Sequence, residues 1–538
     1  MAALIGSLRG AIPGDAKPST KQVDVAIHLM PDPSTSVPAL EAATRNELKD
    51  RTYLTMDEAI KALAPLPGLI DSAKSHLAAH GFQNISFDPL RGAVTGTGGP
   101  PEAASAFRVD LRQGVRADGS AVHSYSGAVD LPDSLAGGST SVTGLHQVAS
   151  QARAPSSAPS SPPSLDYLPR AWPDDYKTIF SFPADVALGQ TVGLLQLGTG
   201  GYFPEDLAGY CRTHKLEVPD VETFGATTDS WTATAAAAAW MFGKDQHIPQ
   251  PDSILAPVWT LAASMQMQAV ASLAPRARIL LGFTEDNQGG AEGLCQLLVN
   301  ALHARSVPTV VSINPGYLPE STLTKTDVAP VERLLSVYAL MGITVCAASG
   351  DYGYDAALGN GPDPEYPATS TKTLGVGAAM YEVTPGGPVD LEVFRQHIAS
   401  PVGQMASGGG YSSFFDRPRY QSGFVSGEKA GSPDVSGPGM TQNGLEIQAA
   451  RTLGATGGTA CASAVWASII ACMNLHLPHQ AGFITPLLYN RRVAGTFLDV
   501  RAGNNNLSGN GPYAAATGWD PCTGLGLPYA TRLLAALK

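Results

Sequence analysis

The stretch best suited to chemistry is Gly457-Gly458-Thr459-Ala460-Cys461-Ala462-Ser463-Ala464-Val465-Trp466. A double-glycine turn running into a helix of small residues presents a side chain at the helix N-terminus. Free N–H groups there stabilise developing negative charge. Such a setting suits nucleophilic attack and acyl transfer. The presented residue, Ala460, has no oxygen to attack with. The frame of a nucleophile stands without its reagent.

The elements that must hold this turn come from a chain of 538 residues, long enough for two or more domains and a large core. Apolar content of 44% and charged content of 15% suit a globular protein. A formal charge of −12 argues against nucleic acid and anionic membrane surfaces as partners, since both select for basic patches. No apolar run approaches membrane-spanning length, and Met1 to Leu8 is too short for a signal peptide. The expectation is a cytoplasmic protein or one exported by a non-classical route. Six cysteines lie scattered without C-x-x-C spacing, which points neither to zinc nor to a disulfide framework.

The Pro/Ser/Ala tract Gln151 to Leu165 cannot build a core and divides the chain. The expected organisation is a domain over 1–150, a linker over 151–168 and a larger domain over 169–538. In the first part, Val23 to Leu29 alternates like a strand and Thr55 to Glu58 reads as a helix N-cap. Leu69 to His80 is amphipathic and stops at Gly81, while short strands are expected around Ala93 to Thr95, Phe107 to Val109 and Ser124-Tyr125. After the linker, Thr191 to Leu197, Arg278 to Phe283, Thr309 to Ile313 and Ile343 to Ala347 are short apolar runs between helical segments. Buried parallel strands have this composition, so an α/β domain with a parallel sheet covered by helices is expected.

Taken in order, the motifs resemble the sedolisin family of serine-carboxyl peptidases, in the layout of its kumamolisin-like branch. The matching pieces include Val129-Asp130-Leu131-Pro132, Leu273-Ala274-Pro275, Ser349-Gly350-Asp351-Tyr352-Gly353, Ser407 to Gly410, Pro433 to Ser436, Gly457-Gly458-Thr459, and the long, specific Gly518 to Gly526. The resemblance covers nearly the whole length. It implies a subtilisin-like fold preceded by a ferredoxin-like α+β pro-domain. It also implies a catalytic set of one serine, a Glu and an Asp four residues apart on one helix, and an oxyanion aspartate.

Carried over residue by residue, the serine position is Ala460, the glutamate position Ala262 and the helix aspartate position Gln266. Residues i and i+4 share a helix face, so both helix positions point into one cleft. Neither alanine nor glutamine moves a proton at useful pH. The oxyanion acid alone survives, as Asp351. Gln196 stands where the family has a glutamate, and Asn314-Pro315-Gly316 where it has a Trp-Gly pair. Pro315 lacks the N–H that a ladder to a bound peptide would use. Cys461 lies one residue past the nucleophile position, about 100° round the helix, and without a base; a core thiol is the expectation.

By the same resemblance one Ca²⁺ is expected near the C-terminus. Its ligands would be Asp499 and Asp520 with the carbonyls of Val500, Ala516 and Gly518, an oxygen-rich shell of the kind this ion takes. The expected function is that of a pseudopeptidase. Asp351, Tyr352, Gln266, Asn314, Cys461 and Ser463 would line a pocket for a small molecule or peptide-like ligand. Two alternatives stand beside it. One is a calcium-dependent acid endopeptidase whose activity is residual or was removed by substitution. The other is a binding or scaffold protein with its own pro-domain permanently docked.

Overall fold

The computed structural model describes residues 17–18, 22–115, 121–126, 128–145, 177–178, 180–182, 187–226, 234–235, 237–238, 251–284, 289–354, 363–384, 387–397, 404–439, 444–493, 495–507 and 512–538. The expected linker over 151–168 lies outside these.

The N-terminal unit contains β1 (Val23–Leu29), α1 (Pro33–Ala43), α2 (Met56–Ala62), α3 (Pro67–Ala79), β2 (Gln83–Asp88), β3 (Ala93–Gly98), α4 (Pro100–Phe107), β4 (Asp110–Val115), β5 (Ala121–Ser126) and β6 (Ser139–Thr143). Its four-stranded sheet runs β2-β3-β1-β6 with every pair antiparallel. That order, with helices between the first and second and the third and fourth strands, is ferredoxin-like. Thr55 and Glu58 form a reciprocal capping box at α2. The strand expected at Phe107 to Val109 is absent. Phe107 ends α4, and Arg108 takes the left-handed C-cap conformation at φ 57°, which postpones the strand to Asp110.

The large unit contains β7 (Thr191–Gln196), α5 (Pro204–Thr213), β8 (Val221–Phe224), α6 (Pro251–Leu273), β9 (Arg278–Phe283), α7 (Gly290–Leu302), β10 (Val310–Asn314), α8 (Lys325–Leu340), β11 (Thr344–Ala348), β12 (Leu374–Thr384), β13 (Gly387–Val393), β14 (Val435–Pro438), β15 (Leu445–Ala449), β16 (Thr452–Thr456), α9 (Thr459–Met473), β17 (Phe497–Leu498), β18 (Leu527–Pro528) and α10 (Ala530–Leu537). Eight strands form the sheet β13-β12-β11-β10-β7-β9-β8, with β14 beside β12. All its pairs are parallel except β12–β13. Every residue of β7, β10 and β11 is buried, which explains their unbroken apolar runs.

Two helices occupy one face of the sheet. α9 is buried along its whole length and packs against α6, β10, β11, β12 and β14. α7 and α8 pair on the opposite face and form a second core with Leu195, Leu280, Val311 and Val345. The carboxyl ends of β7, β10 and β11 therefore open towards the N-terminus of α9, the usual place for a site in such a sheet. Among the described residues, no helix is long and apolar enough to cross a membrane.

Candidate functional site

Ala460 sits in the first turn of α9, after Gly458 at φ 96°. A side chain at Gly458 would come within 2.8 Å of the Asp351 carboxylate. On α6, Ala262 is half-buried and Gln266 fully buried on the same face. The Gln266 Nε2 donates to the Ala460 carbonyl at 3.1 Å, and its Oε1 accepts from Gln196 Nε2. The Gln196 Oε1 in turn accepts from Asn314 Nδ2 at 3.0 Å. The strand ends, α6 and α9 are thus joined by one chain of neutral amides. It stabilises the packing and can neither take up nor release a proton near neutrality. In sequence these positions are 118 and 70 residues from one another, so their union was not readable from spacing.

Asp351 follows β11 and accepts the Thr459 N–H at 2.8 Å through Oδ1. The acid therefore caps α9, satisfying one of its free N–H groups. Burial pushes its carboxyl up to about 6, against the lowering effect of the bonds from Thr459. A carboxyl of this kind is protonated in mild acid and can then donate a hydrogen bond. Beside it, Tyr352 meets Tyr317 edge-on at 5.0 Å between ring centres.

A second acid here escaped the sequence reading. Glu365 is buried, and a side chain added at Gly350 would fall 2.2 Å from its Oε1. Burial raises its pKa well above the carboxylate range, and the Asp351 charge adds to that. Glu365 precedes a Tyr-Pro pair, which by itself signals only a turn.

Two further residues named for the pocket, Cys461 and Ser463, lie inside α9. Both are fully buried because α9 has no solvent face. Burial pushes the Cys461 thiol up to about 12, and the Ser463 hydroxyl accepts a 2.8 Å hydrogen bond from Ser312.

The exit of β10 offers little to an extended peptide. Pro315 has no N–H, the Gly316 N–H is bound by the Asn314 side chain at 3.2 Å, and the Leu318 N–H by Glu365 at 3.2 Å. The Trp259 indole lies over this exit. A side chain at Gly198 would come within 2.0 Å of it and one at Gly316 within 2.4 Å.

In the C-terminal loops, β17 pairs with β18, and the residues expected to bind a metal lie in the loops that follow β17 and precede β18. Both Asp499 oxygens face the Gly518 N–H at 3.2 Å, and Asp499 also binds Arg501 Nε at 2.7 Å. Asp520 is buried and accepts from Ala516, Cys522 and Thr523. Among the described residues no group of three or more His, Cys, Asp or Glu side chains gathers.

Comparison with known proteins places these features in context. The chain is 29% identical to kumamolisin of Bacillus sp. (strain MN-32) over 467 residues, covering 82% of this chain and 78% of that one. It is 24% identical to sedolisin of Pseudomonas sp. (strain 101) over 506 residues, covering 90% and 82%. Among solved structures, Pseudomonas sedolisin complexed with two molecules of pseudo-iodotyrostatin matches with a TM-score of 0.53 at 23% identity, over 69% of this chain and 98% of that one. No family model matches.

Proposed function

The chain belongs to the sedolisin family, and we propose that within it this protein is a pseudopeptidase whose cleft binds or transforms a small molecule. One observation carries this reading: the amide of Gln266, the residue matched in sequence to the family's helix aspartate, is held between Gln196 and the Ala460 carbonyl. With a methyl at 460 and another at 262, no attacking oxygen and no base remain at the matched positions. The covered exit of β10 supports a compact ligand over an extended peptide. Asp351, protonated in mild acid, is the group placed to polarise a carbonyl or ether oxygen of that ligand, with Tyr317 and Tyr352 as apolar walls.

The test is incubation of purified full-length protein at about pH 4 with casein. Intact casein and an uncut chain are expected. Casein fragments that vanish in an Asp351→Ala variant would overturn the reading.

Calcium belongs to the same proposal. Asp499, Asp520 and the carbonyls of Val500, Ala516 and Gly518 give the all-oxygen donor set this ion takes, and they lie in one loop cluster. With only two carboxylates, carbonyls and water must complete the shell. Arg501 would have to release Asp499, a small cost for a mostly exposed side chain. The ion's contribution would be structural, tying 499–500 to 516–520. Chelation is expected to lower the melting temperature, and an unchanged melt with no metal by elemental analysis would remove the ion from the account.

A further inference from the structure

The central strand β1 of the N-terminal sheet is buried on both faces over most of its length. Val23, Val25, Ile27 and Leu29 form one core with α3 and α4. The other face of β1, Ala26 and His28, is also buried, and β6 packs directly on α8. α1 and α2 lie against α8 as well, and Ala43, Ala59, Leu63 and Leu90 join one continuous core with Leu298, Leu335 and Tyr338. A sheet with one face resting on a foreign helix pair is not a finished domain by itself.

The polar ties across this boundary are reciprocal. Arg51 of the N-terminal unit, 3% exposed, donates through one nitrogen to the carbonyls of Ala481 and Phe483 at 2.9 and 2.8 Å. Arg333 of α8, 8% exposed, reaches the opposite way to the carbonyls of Leu63, Pro89 and Leu90 at 2.7 to 3.1 Å. Its guanidinium fills the space over Gly92, where a side chain would come within 2.4 Å. Leu54 N–H bonds the Leu340 carbonyl at 2.8 Å, and the Tyr53 ring covers Gly342 and Gly482. Separation would strip two guanidinium groups of carbonyl partners and expose a shared apolar surface.

We propose that residues 22–145 are a permanent structural part of this protein, and that the α7–α8 face is a constitutive interface whose occupant is this chain's own N-terminal unit. The proposal stands apart from what the cleft does.

Acid offers no release. The main ties are arginine to carbonyl, and neither partner titrates between pH 4 and 8. The ionisable groups facing the boundary are few. His28 sits near Arg91 and Arg333, and burial first, then those charges, lowers its pKa to about 3, so it stays neutral. Burial raises the pKa of Glu292, against the lowering effect of Arg91. Across the rim, Glu47 pairs with Arg492 at 2.6 Å and Tyr53 meets His479 edge-on; Asp88 pairs with Arg91 at 3.6 Å within the N-terminal unit itself. The Glu47–Arg492 pair is exposed and weak, so losing it does not undo the boundary.

The experiment inserts about twenty Gly/Ser residues carrying a site-specific protease sequence between Ser156 and Ser157 of the full chain. After cutting, size-exclusion chromatography is run at pH 7.5 and at pH 4. Co-elution of both fragments as one species at both pH values is expected, with a single cooperative melt before cutting. Release of the N-terminal fragment at either pH, leaving a folded large fragment, overturns the proposal. So does an uncut chain that melts in two separate steps.

Discussion

Ala460 lends its carbonyl to Gln266, so adding a hydroxyl at 460 creates no path for a proton. Ala460→Ser alone is expected to give no peptide hydrolysis above background between pH 3 and 6, measured with a fluorogenic peptide library. Appreciable turnover by that single variant would show that some other group serves as base. The amide chain also makes a stability claim. Gln196→Ala leaves the Gln266 and Asn314 amides short of a buried partner and is expected to cost about 1–3 kcal/mol in denaturant unfolding. Because the residues share one network, Gln196→Ala and Gln266→Ala combined should cost less than their sum. At this scale the sequence was informative about residue type and poor about company. Gln196, Gln266 and Asn314 stood out as polar replacements, but only the parallel register of β7 with β10, Asn314 opposite Gln196, makes them one system. Glu365 was unreadable for a related reason, since its burial comes from a chain that folds back over Leu318.

The hairpin of β15 and β16 feeds directly into the Gly457-Gly458 turn, and its own two-residue loop is strained. Ala450 and Arg451 both hold positive φ, 46° and 59°, where Asn-Gly would be usual. The buried carboxylate of Asp206 on α5 accepts both their N–H groups, and Gln268 on α6 exchanges two further bonds with Gln448. The loop therefore owes its shape to a residue more than two hundred positions away. This is why the parallel strands were legible from apolar runs whereas the hairpin, lacking any turn residue, was not. Arg451→Gly should relieve left-handed strain and raise stability by about 1 kcal/mol. Asp206→Ala should destabilise by about 1–3 kcal/mol by orphaning two turn N–H groups. An Arg451→Gly variant no more stable than the parent would mean the turn is not strained.

Across the described residues, acids that are partly or fully buried set the response to pH. Burial pushes Asp351 up to about 6 and Asp434 up to about 7, and it raises Glu365 well above its ordinary range. Unfolded, the two aspartates lose their protons near 3.8 and the glutamate near 4.5. Between those values and about 7 the folded chain therefore holds more protons than the unfolded one, and stability falls as pH rises through that window. His28 works the other way. Its folded value near 3 lies below the unfolded 6.5, so its contribution is lost as pH falls below that point. One such histidine, with His76 shifted the same way, is outnumbered by the three acids, each of which holds a proton across much of the same range. The net expectation is a melting temperature higher at pH 5 than at pH 7.5, read by calorimetry across that range. Asp351→Asn should flatten the slope between pH 4 and 6, because the amide removes the titration while leaving an oxygen to cap Thr459. Stability that climbs steadily to pH 7.5 would mean that these carboxyls are ionised at ordinary pH, and Asp351 could then not act as the proton donor of the cleft.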